Sequence, residues 1–239
     1  MAEPLLRIEA LHAGYGDAAV LHGIDLAIGE GSAVALLGRN GAGKSTLLKT
    51  ILNAGPRVTG GRITLDGRDI GPLGPDARAR AGLMLVPEDR RIFPHITVAE
   101  NIALGVHAAR AGVKPMTMDE IWALFPALVP FAARAGYALS GGQQQMVAVA
   151  RGVIARPRLL LLDEPVEGLA PVIVDQMAEE IRRLHRDHGL TVLVTEQNLS
   201  FARAVTDRVH LIDSGQLVYS GSWAEFDADP SLKARYLAV

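Results

Sequence analysis

The segment Gly38-Arg39-Asn40-Gly41-Ala42-Gly43-Lys44-Ser45 carries the spacing G-x-x-x-x-G-K-[ST]. A loop of this kind cradles phosphate when a strand precedes it and a helix follows. Gly38, Gly41 and Gly43 let the backbone curl, so that N–H groups from Asn40 and Ala42 on to Thr46 point at phosphate oxygens. The start of the helix adds partial positive charge, and Lys44 adds a full one. Ser45 is placed to ligate Mg2+. Farther along, Asp163-Glu164 follows the aliphatic run Leu159-Leu160-Leu161-Leu162. Beside a phosphate loop, Asp163 is suited to holding the metal's coordination shell and Glu164 to polarising an attacking water. Leu139-Ser140-Gly141-Gly142-Gln143 is a second anion site, an N-cap serine and two glycines opening a helix with Val147, Ala150 and Ile154. Taken singly, the last two features also fit a loop that opens on two acids and an ordinary capped helix.

The elements that position these residues follow from pattern. Alternating apolar residues between Leu5 and Gly31, broken by Gly14-Tyr15-Gly16-Asp17 and Gly29-Glu30-Gly31, predict antiparallel strands. The run from Ser32 to Leu37 predicts a strand buried on both faces, and a helix starts at Lys44 and runs to Gly55-Pro56. Asp66-Gly67 marks a hairpin turn after the strand at Arg62 to Leu65. Thr97 with Glu100, and Thr117 with Glu120, fit the capping box that opens a helix. After Leu159, strands alternate with a helix opened by Pro171 and closed at Gly189, the signature of a parallel sheet with crossover helices.

Composition excludes several classes. The 239 residues contain no cysteine, so neither a disulfide framework, a Cys-ligated zinc nor a thiol nucleophile is available. A formal net charge of −2 gives no electrostatic reason to bind nucleic acid. The longest uncharged apolar stretch, around Ile121 to Ala133, is interrupted by Pro126 and Pro130, so the chain is expected not to span a membrane. Hydrophobic residues make up 49% of the chain and aromatics only 5%, which implies an aliphatic interior.

The phosphate loop, Leu139 to Gln143 and the Asp163-Glu164 strand together resemble the ATP-binding cassette family over essentially the whole chain. The resemblance implies an α/β fold, a P-loop NTPase core with an antiparallel β subdomain and an inserted helical subdomain. The core would span about 1–89 and 157–239, and the helical part about 90–156. It further implies ATP and Mg2+ as ligands and head-to-tail pairing with a second cassette, identical or homologous. In such a pair Ser140, Gly142 and Gln143 serve the nucleotide held by the partner. Tyr15 occupies the place of the family's adenine-stacking aromatic, with a partly buried strand tyrosine as the alternative.

Three positions depart from the general family pattern. Glu88 stands where a glutamine is usual, Gln197 replaces the usual histidine, and Ala170 replaces a loop aspartate. Glu88 near a triphosphate faces like charge, roughly 4 kcal/mol at ~4 Å and an effective dielectric near 20. It is therefore expected to pair with Arg90 or Arg91 without nucleotide and to join Ser45 and Asp163 at the metal with it. Gln197 can donate a hydrogen bond to a phosphate oxygen but cannot carry an imidazolium charge, so it joins Lys44 and Glu164 among the catalytic candidates. Neutral drift in a subunit whose partner supplies the competent site is the alternative reading of all three departures.

Val86-Pro87-Glu88, Arg90-Arg91-Ile92-Phe93-Pro94 and Glu196-Gln197-Asn198 look like the shorter ATPase subunit of branched-chain amino-acid importers. That likeness implies two permease subunits, a periplasmic solute-binding protein and a place on the cytoplasmic face of the inner membrane. The permease is expected to dock near Glu88 to Asn101. A homodimeric export ATPase, or a soluble cassette acting on ribosomes or DNA, remains the alternative.

Overall fold

The computed structural model describes residues 3–237. Strands β1 (Leu6–Tyr15), β2 (Ala18–Ile28) and β3 (Ala33–Leu37) precede the phosphate loop and helix α1 (Lys44–Leu52). Strands β4 (Arg57–Leu65) and β5 (Arg68–Asp69) form a hairpin, and α2 (Pro75–Arg80) leads into β6 (Leu83–Val86). Helices α3 (Val98–Ala103), α4 (Met118–Leu124) and α5 (Gly141–Val153) then follow before β7 (Leu159–Asp163). Next come α6 (Pro171–His188), β8 (Thr191–Glu196), α7 (Leu199–Val205), β9 (Arg208–Asp213) and β10 (Gln216–Ser222). Helices α8 (Trp223–Ala228) and α9 (Pro230–Tyr236) end the described chain.

Two sheets result. Antiparallel strands in the order β2-β1-β4-β5 make one, closed at its tip by Asp66 (φ 53°) and Gly67 (φ 70°), the paired left-handed residues that a tight two-residue hairpin requires. The other runs β10-β9-β3-β8-β7-β6 and is parallel except for the β10 edge. All five residues of β3 are buried, because both faces of this sheet are covered. Val34 and Leu36 pack into one aliphatic cluster with β1, β2 and α1, while Ala33, Ala35 and Leu37 face a second cluster built on α5, α6 and α7.

Helix α1 ends earlier than Gly55-Pro56. Asn53 turns left-handed (φ 58°) and its N–H caps the last turn. The fully buried Arg78 donates Nη1 to Thr50 O (2.9 Å) and Ile51 O (2.8 Å), satisfying carbonyls that a helix end leaves open. Both threonine capping boxes form, and Ser140 closes another with Gln143.

On α6, Met177, Ile181 and Leu184 are buried as their spacing requires, but so is Glu180. Its Oε2 has no hydrogen-bond partner among the described residues, and burial pushes its carboxyl up to about 7 against a partial opposing pull from Arg183. A carboxyl raised in the folded state keeps its proton where the unfolded chain has lost it. Its contribution is intact below about 4.5 and is lost as pH rises to about 7. Glu180→Gln should therefore exceed wild type at pH 8 by on the order of 2 kcal/mol and converge with it near pH 5. Urea unfolding at the two pH values measures this, and equal midpoints at pH 8 would refute it.

Candidate active site

Parallel register brings the chemistry to one rim of the sheet. Leu37, the last residue of β3, pairs with Glu196 at the end of β8, and Asp163, the last of β7, pairs with Thr195. The phosphate loop leaves this rim through left-handed Gly41 (φ 80°) and Gly43 (φ 108°). At Gly38 a Cβ would lie 2.4 Å from Ile212 O, so only glycine fits where the loop leaves β3.

Lys44 is 3% exposed, and its Nζ donates to Gly38 O (2.8 Å) and Arg39 O (3.2 Å). The same ammonium pairs with Glu164 Oε1 at 3.0 Å. Ser45 Oγ donates to Asp163 Oδ1 (2.8 Å), which also accepts from Thr195 Oγ1 (2.9 Å). Glu164 takes a left-handed backbone (φ 43°), held by its N–H donating to Thr195 O (3.1 Å) and Thr195 Oγ1 (3.2 Å). Gln197 Nε2 bridges Asn40 Oδ1 (2.7 Å) and Glu164 Oε2 (3.0 Å). Glu164 is thus gripped through both oxygens, one by Lys44 and one by Gln197.

A cavity of about 380 Å³ opens above these groups, lined by Asn40, Gly41, Gly43, Lys44, Ser45, Thr46, Glu88, Glu164 and Glu167 among others. Its donor set fits Mg2+: a serine hydroxyl and a buried carboxylate already converge, and both are hard oxygen ligands. Among the described residues no group of three or more acidic or histidine side chains forms a metal cage. A Mg2+ ion held largely by phosphates needs only one or two protein carboxylates.

Glu167 was invisible to pattern, since its part depends on the loop after Glu164 folding back over the cavity. Burial, then its hydrogen bond to Glu164 and the charges of Glu164 and Glu88, hold its carboxyl above the usual range. Glu196 lies below the site with Oε2 accepting from the N–H groups of Gln197 and Asn198 (both 3.0 Å), while burial pushes it up to about 7.

The expected pairing of Glu88 with arginine does not occur. Arg91 pairs with Asp89 (3.0 Å), and the Arg90 guanidinium lies against Gly141, whose Cβ would come within 2.8 Å of Nη1. Left-handed backbone at Arg90 (φ 62°) and Arg91 (φ 47°) turns the chain after Glu88. Tyr15 stands 45% exposed at the end of β1, close to Gly55, and does not line the cavity. Ser140, Gly142 and Gln143 also lie outside it, at the start of α5. At Gly142 a Cβ would lie 2.6 Å from Ile173 Cγ2 on α6, and Gln143 Oε1 accepts from Ser140 N (2.9 Å). His185 is committed to Asp207 Oδ2 (3.2 Å) and Leu190 O (3.1 Å), which accounts for it without a metal shared with His188.

The ABC transporter family profile matches residues 21–167, the stretch that carries the loop, Ser140 and the Asp163-Glu164 pair. The chain belongs to the ABC transporter family. As such it is an ATP-binding cassette and an ATPase. The cassette is 37% identical to the high-affinity branched-chain amino acid transport ATP-binding protein BraG of Pseudomonas aeruginosa, over 98% of this chain and 99% of that one. It is 34% identical to a probable branched-chain amino acid transport ATP-binding protein, LivF, of Archaeoglobus fulgidus, covering 91% of this chain and 92% of that one. Other relatives, 36% and 37% identical, are named for import of sn-glycerol-3-phosphate and Fe(3+) ions. The fold matches a dimeric post-hydrolysis state of an ATP-binding cassette bound to ADP and Pi, with TM-score 0.79, 24% identity and coverage of 91% of this chain and 98% of that one.

Gln197→Ala removes the clamp on Glu164 Oε2 without touching the loop glycines. The expected result is a fall in kcat of about tenfold to a hundredfold with ATP affinity within twofold of wild type. Equilibrium nucleotide binding and steady-state turnover check it, and an unchanged kcat would exclude a role for the clamp.

Proposed function

We propose that this cassette is the ATP-hydrolysing subunit of an importer for branched-chain or other hydrophobic amino acids. Similarity to BraG along nearly the full length of both chains is the observation that carries the solute class. Two permease subunits, a second cassette and an external solute-binding protein complete the assembly in this reading, on the cytoplasmic face of the inner membrane. Among the described residues no helix is long and apolar enough to cross a membrane, so partners hold the cassette there.

In this reading the contacts of Lys44 and Glu164 imply an order of events. Lys44 must leave Glu164 Oε1 to meet an incoming phosphate, and that exchange frees Glu164 to take a water. Gln197 keeps the carboxylate aimed while this happens. Ser45 and Asp163 would hold Mg2+, with Glu88 in the cavity lining as a third candidate, and the ion would supply charge neutralisation for phosphoryl transfer. Tyr15 stacks on the adenine, while Gly38 to Thr46 wrap the phosphates. Ser140, Gly142 and Gln143 close on the nucleotide held by the second cassette. Positioning and charge neutralisation supply most of the catalysis.

Glu164→Gln should bind ATP yet hydrolyse it at least a hundredfold more slowly. Turnover is measured on the cassette purified with its membrane subunits, alongside stimulation of wild type by the solute-binding protein loaded with leucine. Normal turnover in the variant would sink the role of Glu164. Stimulation by another solute class and not by leucine would sink the amino-acid assignment alone.

A further inference from the structure

Helix α5 is bound at both ends to the loop that follows Glu88. In its last turn Arg151 donates Nη2 to Arg90 O (3.0 Å) and Nη1 to Arg91 O (2.8 Å), with its guanidinium 5.9 Å from the centre of the Phe93 ring. At its first turn the Arg90 guanidinium lies against Gly141. The two residues whose carbonyls Arg151 grips are both left-handed, Arg90 at φ 62° and Arg91 at φ 47°. Each such non-glycine residue is strained and persists only where its surroundings hold it. Arg91 N donates to Asp89 O (2.6 Å) and its side chain pairs with Asp89, but that pair is largely solvent-exposed and supplies little. The forked Arg151 hydrogen-bonds to both carbonyls of the strained pair from another element. The backbone of Arg151 is closely packed, since a Cβ on Gly105 would lie 2.0 Å from Arg151 O.

The loop so held begins at Glu88, in the phosphate cavity, and the helix that holds it begins at Ser140. We propose that Arg151 is a positioning residue that couples the cassette's own nucleotide pocket to the Ser140 surface offered to the second cassette. This rests on the function proposed above. Lysine keeps the charge but cannot fork to two carbonyls, and methionine keeps only the stem.

The test uses the cassette purified with its membrane subunits, with kcat counted per ATP-binding site so that misfolded chains drop out. Arg151→Met should lower kcat at least tenfold while ATP Kd stays within twofold, and Arg151→Lys should fall between it and wild type. Glycine adopts a left-handed backbone without strain, so Arg91→Gly placed on Arg151→Met should recover at least threefold of the lost kcat. A kcat per site unchanged in Arg151→Met, a Kd that rises in step with the loss, or no recovery by Arg91→Gly would each overturn the proposal. A wild-type complex that binds ATP without hydrolysing it would count against the functional reading instead.

Discussion

The buried ion pair between Lys44 and Glu164 is the constraint on which the site depends. Its oppositely charged groups are 3% and 9% exposed. Removing one partner of such a pair costs roughly 3–5 kcal/mol, because the other is left buried and uncompensated. The surroundings are arranged around this. Glycines at 38, 41 and 43 give the loop its curl, the carbonyls of Gly38 and Arg39 accept from the ammonium, and Thr195 fixes the backbone of Glu164 in a conformation it would not otherwise take. Any anion that reaches the ammonium must compete with this carboxylate.

What the sequence showed was what short segments decide. The phosphate loop, the capped helices and the aliphatic strands depend on neighbours a few residues away, and each appears where its pattern put it. Burial of β3, β7 and β8 in aliphatic side chains accounts for so few aromatics in so hydrophobic a chain. Contacts between distant segments were not legible. Arg78 closes a helix 28 residues earlier, which no local signal announces. Glu167 joins the cavity only because its loop turns back. Glu88 was expected to meet an arginine next to it in sequence, and two left-handed residues sent those arginines elsewhere. Glu180 is buried beside Met177, Ile181 and Leu184, and no local signal in the sequence marks an acid for that burial.

One departure from the family pattern, Gln197, looks less like drift once its contacts are known. Gln197 is not idle, since its amide spans from the phosphate loop to Glu164. That span needs two donors on one nitrogen, which an amide has and an imidazole nitrogen has not. With Gln197 as the clamp, alignment of Glu164 has no titrating histidine at that position to disturb it.

Four capping boxes occur among the described residues, opening α3, α4, α5 and α8. Three are closed by glutamate, at Glu100, Glu120 and Glu225, and the one at Ser140 by Gln143. Either side chain can complete the motif, but glutamate also neutralises the positive end of the helix. At three helices that neutralisation is harmless stabilisation. At α5 it would spend the field on the protein's own carboxylate. The neutral amide fastens the same turn and leaves this helix end without the carboxylate that the other three carry, so its partial positive charge stays uncompensated by the cap.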